Sequence, residues 1–572
     1  MIKLIQFMKD YKKEAILGPI FKLIEAILEL FVPIVMAKII DVGVRNNDIV
    51  YILKMGGVLI LLGASGLGFA LICQYYASIA SQGVGTSIRS ALFKHINSFS
   101  HAEIDKIGTP TLITRLTNDI NQIQTGVAMM IRLGSRAPFI IIGSTIMAIA
   151  LDLKLSIIFI ITTPLIALVI YFVMSKSLPL YKIIQNKLDN ISLITRENLD
   201  GTRVIKAFSK EESQKLRFND ASNDLSNTSI NVGKMSALLN PITYIIMNLS
   251  IVAILWFGGI RVNSGSLTQG EVIAFVNYIT QILLALIVFA QLIVTLTKAS
   301  TSANRVNEIL EIKSTITENS IVKSYRFSSA PIIEFKDVFF SYADSNEYSL
   351  SNISLTINKN ETIGIIGGTG SGKSTLVNLI PRFYDATKGQ VLINGTDVKD
   401  YSLKTLRNLI GIVPQKAVLF KGKLIENLRW GNKDATIKDI EDSLEISQSS
   451  SFVQALPEKY DTNILQGGKN LSGGQRQRLT IARALVLKPK ILILDDSSSA
   501  LDFATDASLR KALKEKVKDT TVIMVSQRAS SIKNADKIIV LDNGEIAGIG
   551  NHDYLINNCE VYKEIYSSQL KN

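Results

Sequence analysis

Four stretches without a single charged residue, 55–80, 155–175, 235–260 and 272–297, dominate the front half of the chain. Each reaches the roughly 20 apolar residues that a helix needs to cross the hydrocarbon core of a bilayer. No water is present there to bond N–H and C=O groups, so a lipid-facing segment of this kind is a helix. A fifth stretch, 137–151, is shorter and is completed by running back through Gly126–Met130 past Arg132 and Arg136. Another, the first in the chain, is interrupted by Lys22, Glu25 and Glu29. The sequence predicts six spans, at about 15–40, 55–80, 126–151, 155–175, 235–260 and 272–297, in a membrane domain over 1–310.

Connector lengths alternate between short and long. The long ones, about 83–125 and 176–236, hold Arg89, Lys94, Lys106, Arg115, Lys176, Lys182, Lys187, Arg196, Arg203, Lys206, Lys210, Lys215 and Arg217. The short links carry few basic residues, such as Arg45, Lys154 and Arg261. The positive-inside rule then predicts that both long segments and both termini are cytoplasmic. The arms read as polar helices that extend the spans below the membrane. Glu25 and Glu29 lie one helical turn apart and share a face. Either they line an internal cavity and favour cationic cargo, or they lie near a membrane surface or pair with Lys22 or a basic residue of a neighbouring helix. Asn248, Asn277, Gln281 and Gln291 read as polar contacts between helices.

Apolar residues make up 47% of the chain and charged ones 19%, too greasy for an ordinary soluble protein. The net charge of +13 fits cytoplasmic loops rich in Lys and Arg. No basic stripe is interleaved with aromatics, so no nucleic-acid partner is expected. Two cysteines, Cys73 and Cys559, and three scattered histidines, His95, His101 and His552, offer neither a disulfide framework nor a zinc cluster. No cleavable signal peptide is visible. The start, MIKLIQFMKDYKKE, reads either as a helix lying on the inner membrane surface or as a cytosolic tail. The Lys-, Ile- and Asn-rich composition suggests a bacterium.

The back half carries nucleotide chemistry. GGTGSGKST, residues 367–375, follows an apolar strand, ETIGIIG, and precedes an apolar helix, TLVNLIPRF. That context turns a G-x-x-x-x-G-K-S match into a phosphate loop. Gly367, Gly368, Thr369, Gly370, Ser371 and Gly372 let backbone N–H groups turn toward phosphates, and the helix start after them, with Thr375, adds positive potential. Lys373 neutralises the outer phosphates, and the Ser374 hydroxyl is placed for Mg²⁺. A second strand, KILILDD, ends on Asp495, a further Mg²⁺ ligand held directly or through water. Between the two motifs lies NLSGGQRQRL, residues 470–479. Ser472, Gly473, Gly474 and Gln475, at a helix start, form another anion site, which faces outward and cannot reach its own phosphate loop.

That signature string, with the two nucleotide motifs and the six spans, resembles ABC exporters over essentially the whole chain. The resemblance implies an all-α six-helix membrane domain, a linker over 311–331 and an α/β nucleotide-binding domain over 332–572. It implies Tyr342, in FFSYADS, as the aromatic stacked on adenine, and Gln415, in GIVPQKAVLF, as the glutamine that reaches Mg²⁺ and the attacking water. SALD, 499–502, resembles the D-loop. TLITRLTNDINQIQ, 111–124, and ENLDGTRVIKAFSKEES, 197–213, resemble intracellular loops with short coupling helices. Two such chains act head to tail, with ATP between the phosphate loop of one and the signature of the other.

Three positions depart from the family pattern. Asp496 stands where a glutamate normally polarises the attacking water. Gln527, in VSQRASS, stands where a histidine normally meets the γ-phosphate. Gln466 stands where exporters usually carry a glutamate ahead of the signature. A lost general base costs about 10²–10⁴ in rate, so this site is expected to bind ATP and hydrolyse it poorly while the signature stays intact. The combination resembles the degenerate-site subunit of a heterodimeric bacterial multidrug-type exporter. It implies a second half-transporter with a complete site, and a drug, lipid or peptide as cargo across the plasma membrane. A homodimeric translocator is the alternative. A regulated channel is disfavoured because no long regulatory insert is present, and an importer because importers usually keep the two domains on separate chains. No peptidase domain precedes the first span, which disfavours a leader-cleaving peptide exporter.

Overall fold

The computed structural model describes residues 2–317, 330–342 and 347–570. Most of the expected linker 311–331 and the ADSN end of the aromatic segment therefore lie outside the described residues. The chain divides into two compact units, residues 1–97 with 110–312, and residues 98–109 with 313–572.

The first unit is helical. Its elements are α1 (Lys12–Lys38), α2 (Ile49–Ile96), α4 (Thr109–Thr114), α5 (Ile120–Leu133), α6 (Arg136–Leu151), α7 (Leu153–Asp200), α8 (Thr202–Ala207), α9 (Glu211–Ala237), α10 (Leu239–Asn263) and α11 (Gln269–Glu311); α3 (His101–Ile107) belongs to the second unit. Among the described residues, five helical stretches are long and apolar enough to cross a membrane: Ile49–Ile96, Thr109–Leu151, Leu153–Asp200, Glu211–Asn263 and Gln269–Glu311. At 1.5 Å per residue the 48-residue α2 and α7 are about 72 Å long. That is more than twice the hydrocarbon thickness, so the arms continue the spans as expected.

The apolar α1 has 27 residues, enough to span, and the three charges in its middle are paired. Lys22 Nζ lies 2.6 Å from Glu25 Oε2, and Arg136 Nη2 of α6 lies 2.8 Å from Glu29. Both glutamates thus meet cations within this chain. Phe159 of α7, Ile254 of α10 and Phe275 and Ile279 of α11 are fully buried at the centre of the unit. The Tyr278 hydroxyl donates to the Leu30 carbonyl at 2.7 Å, tying α11 to α1. Asp41 accepts from the Thr268 hydroxyl at 2.6 Å and from Gly270 N at 2.8 Å at the start of α11. Gly270 is required there, because a Cβ would lie 2.3 Å from the Ala37 carbonyl oxygen.

The two loop-like motifs fare differently. The second contains a separate short helix, α8, between α7 and α9. The first does not: 111–124 lies within a continuing helix, widened to a π-type turn over Arg115–Asp119. The short separate helix is α3, just ahead of it. Asp119 explains the difference, because its fully buried carboxylate pairs with Arg115 at 2.9 Å and with Arg305 of α11. That pins 115–119 to the helical body.

The second unit contains β1 (Ile333–Phe340), β2 (Leu350–Ile357), β3 (Thr362–Gly367), β4 (Lys388–Ile393), β5 (Thr396–Asp397), β6 (Ile410–Val413), β7 (Gly422–Lys423), β8 (Asn463–Ile464), β9 (Ile491–Asp495), β10 (Thr521–Val525), β11 (Lys537–Asp542) and β12 (Glu545–Gly550). A six-stranded sheet runs β12-β11-β3-β10-β9-β6, parallel except for β12. Its strands are continuous apolar runs, TIGIIG, ILILD and TVIMV, as a sheet covered on both faces requires. A four-stranded sheet, β2-β1-β4-β5, is antiparallel and packs in the same apolar cluster. A separate cluster, with Leu424, Ile440, Leu471 and Leu479, supports the helix Gly473–Val486.

Candidate nucleotide site

The ends of β3 and β9, neighbours of β10 on either side, carry the two nucleotide motifs to one edge of the large sheet. After Gly367 the chain turns through Gly370 (φ +81°) and Gly372 (φ +92°) into the helix Lys373–Leu379. Both angles lie in the left-handed region open to glycine. At Gly372 a Cβ would also sit 2.7 Å from Leu350 Cδ2 and 2.9 Å from the Ser349 carbonyl. The loop is thereby forced into an open cradle. Gly368 and Gly370 have nothing within 4 Å of where a Cβ would stand.

Lys373 is buried. Its Nζ donates to the carbonyls of Gly368 at 2.6 Å and Gly367 at 3.0 Å, with Ser371 Oγ at 3.4 Å. Burial pulls its pKa down, opposed by Asp496 and Asp495. A cation resting on neutral carbonyls fits a site whose countercharge is a phosphate. Ser374 Oγ donates to Asp495 Oδ1 at 3.0 Å, an oxygen pair of the kind a hard divalent cation takes. Burial raises the Asp495 pKa, with Asp496 adding to the rise, while Ser374 and Lys373 oppose it.

Asp496 follows β9 with φ +44°. Its carboxylate accepts from Gln415 Nε2 at 3.3 Å, so the strand ends of β6 and β9 bring the two together. Burial raises the Asp496 pKa as well, against Gln415, Lys373 and Arg528. Tyr342 is partly exposed beyond β1, and its hydroxyl lies 2.9 Å from Thr375 Oγ1. Its ring stands edge-on to Phe340 and Tyr384, with centroids 4.9 and 5.4 Å away. Gln527 is exposed after β10.

Ser472, Gly473, Gly474 and Gln475 open the helix Gly473–Val486. Ser472 caps it, accepting from Gln475 N at 3.3 Å, while Gln475 Oε1 accepts from Ser472 N at 2.9 Å. This reciprocal capping box fixes the helix start. Gly473 has nothing within 4 Å of a Cβ position. The signature is anchored in the helical cluster and the phosphate loop in the sheet cluster.

Sequence reading missed three contributors. Tyr384 packs edge-on against Tyr342, and its hydroxyl donates to Asp105 of α3 at 2.5 Å. Arg528 lies over the Phe503 ring at 4.9 Å. Gln569 bonds the backbone around Gln527. Only the aromatic run PRFY, next to the phosphate-loop helix, hinted at the first.

Residues 15–286 match the family model for the ABC transporter transmembrane region, and 350–499 match that for the ABC transporter. An uncharacterised ABC transporter ATP-binding protein of Mycobacterium tuberculosis is 38% identical over 99% of this chain and 97% of its own length. The chain is an ABC transporter. As an exporter half-transporter it joins the membrane region and the ATPase in one polypeptide, and it couples ATP hydrolysis to transport. The ABC transporter YfiB of Bacillus subtilis, also uncharacterised, is 37% identical over the whole chain and 99% of its own length. YgaD of the same organism, provisionally described as a multidrug export ATP-binding/permease protein, is 31% identical over the full length of both. A solved bacterial Atm1-family ABC exporter with ATP bound shares the fold, with a TM-score of 0.81 over 98% of each chain at 22% identity.

Proposed function

We propose that this chain is the slow-site subunit of a heterodimeric exporter in the bacterial plasma membrane, with its ATPase domain cytoplasmic, moving a hydrophobic or amphipathic drug, lipid or peptide outward. Its own phosphate loop holds ATP through Lys373, Ser374, Asp495 and Tyr342, with Mg²⁺ on Ser374, Asp495 and Gln415. Bound Mg²⁺ supplies neutralisation of phosphate charge. The observation that carries the reading is the pairing of Asp496 with Gln527 in an otherwise complete site. Asp496 is one methylene shorter than glutamate and is held by Gln415, which restrains its reach toward an attacking water. Gln527 can donate an amide N–H to a phosphate oxygen, but it has no titratable proton and no charge. Ser472, Gly473, Gly474 and Gln475 would then cap ATP on a partner half-transporter with a complete glutamate and histidine. α1 acts as the sixth span.

The test is steady-state ATPase activity in lipid. The chain alone is expected to turn over far more slowly than the complex purified with its cognate half-transporter. Brisk, cargo-stimulated turnover by the chain alone overturns the heterodimer reading.

A further inference from the structure

We propose that Gln569, at the end of the terminal helix Glu560–Leu570, is a positioning residue for the switch segment and governs how long ATP stays in the chain's own site. The inference rests on the slow-site reading above. It starts from two bonds. Gln569 Nε2 donates to the Gln527 carbonyl at 2.7 Å, and Ala529 N donates to Gln569 Oε1 at 2.8 Å. One amide thus clamps the backbone on both sides of Arg528. A primary amide offers a donor and an acceptor at once. Glutamate lacks the donor, and alanine lacks both.

The clamp stands on a fixed base. Tyr562, two turns earlier on the same helix, is fully buried, and its hydroxyl lies 2.8 Å from His552 Nδ1. It packs in one cluster with Ala529, Ile532 and Ile366, the last in β3 just ahead of the phosphate loop. The rest of the segment is held from elsewhere. Arg528 Nη2 reaches the Ser499 carbonyl at 3.5 Å. Arg510 donates to the Ser530 carbonyl at 2.9 Å. The Ser531 hydroxyl donates to the buried Asp506 at 3.0 Å. Residues 528–531 therefore have anchors besides Gln569. Ser526 Oγ accepts from Arg528 N at 3.0 Å across Gln527, and the Gln527 carbonyl itself accepts from Gln569, so loss of Gln569 removes that bond and loosens the switch position. The Gln527 side chain then spends less time within reach of the terminal phosphate, and ATP leaves sooner.

The experiment uses the full complex, purified from native membranes through a tag on this chain and reconstituted in lipid. It is loaded with labelled Mg·ATP and chased with unlabelled ATP. Loss of unhydrolysed label is timed for wild type, Gln569→Ala, Gln569→Glu and the control Ser567→Ala, whose hydroxyl donates to the Lys563 and Glu564 carbonyls of its own helix. Both Gln569 variants are expected to shorten the dwell roughly five- to tenfold, the scale of one to two lost hydrogen bonds. Ser567→Ala should match wild type. Because Gln569 acts through Gln527, adding Gln569→Ala to Gln527→Ala should shorten the dwell no further, whereas a merely structural loss would add. An unchanged dwell in Gln569→Ala, additive effects in the double variant, or a shortening matched by loss of assembly or thermal stability each overturns the proposal. A wild type that retains no label through the chase overturns the slow-site reading and the proposal with it. Retention in wild type that persists in Gln569→Ala overturns the proposal alone.

Discussion

Asp495 shows how one residue serves binding at the expense of the ligand-free fold. Its carboxyl ends a buried strand, and burial together with Asp496 raises its pKa against the bond from Ser374 and the charge of Lys373. The folded pKa lies above the unfolded value, so the folded chain holds this proton to a higher pH. Stability is therefore lost as pH rises from the unfolded pKa through the folded one, so ionised Asp495 is a penalty on the ligand-free fold. Asp495→Asn is accordingly expected to raise the unfolding temperature of the ligand-free chain at neutral pH while weakening Mg·ATP binding. Calorimetry with and without Mg·ATP reads both signs. A variant less stable than wild type without nucleotide contradicts this account of the site. The same reasoning applies to Asp496, whose pKa burial also raises.

The short helix α3 shows what an element needs beyond its own residues. Seven residues are too few to hold a helix in water. The capping box of Ser100 and Glu103 fixes its start: Glu103 accepts from Ser100 N at 2.7 Å and Ser100 Oγ at 2.6 Å, and from Thr315 N at 3.0 Å. At the first position of the helix, His101 stacks on Phe383 at 4.5 Å. Burial would raise the Glu103 pKa, but the bonds from Ser100 and Thr315 outweigh it and leave the pKa lowered. That stabilisation is present above the unfolded pKa and is lost as pH falls through the folded one. Glu103→Ala is expected to cost about 1–3 kcal/mol at neutral pH, read as a lower unfolding temperature, with the gap to wild type closing in acid. A gap that stays constant down through the carboxylate range contradicts the role of the ionised group. Local pattern alone did not reveal α3. The resemblance pointed to 111–124, whereas the partners that make 101–107 a separate helix, Thr315, Phe383 and Tyr384, are more than 200 residues away. The first span was legible for a related reason only as an interrupted run: Lys22, Glu25 and Glu29 break the hydropathy, and while Lys22 lies within reach of Glu25 on the same helix, the Arg136 partner of Glu29 becomes visible only when α1 and α6 are side by side.

At the scale of the whole molecule, the features legible in sequence were those whose chemistry is local. The phosphate loop needs contiguous glycines, a lysine and a serine between a strand and a helix. The signature needs a serine and glycines at a helix start. What sequence could not give was the support: the Gln415 bond to Asp496, the Tyr384 packing on Tyr342, and the Gln569 clamp 40 residues beyond the segment it holds. The central claim is that the two halves of this ATPase domain serve different ATP molecules, Lys373 at the chain's own slow site and Gly474 at the partner's fast one. Electrostatic positioning around the transferred phosphate supplies most of the catalysis, so damage should follow the fast site. Gly474 has limited room, with the Ala500 carbonyl 3.3 Å from a Cβ position, and Gly474→Asp adds bulk and negative charge there. The most direct measurement is steady-state ATPase activity of the reconstituted complex at saturating ATP, with assembly verified, for Gly474→Asp and Lys373→Ala side by side. Gly474→Asp is expected to come near to abolishing activity, and Lys373→Ala to retain a substantial fraction of it. Equal damage from the two, or a signature variant milder than the lysine variant, would contradict it.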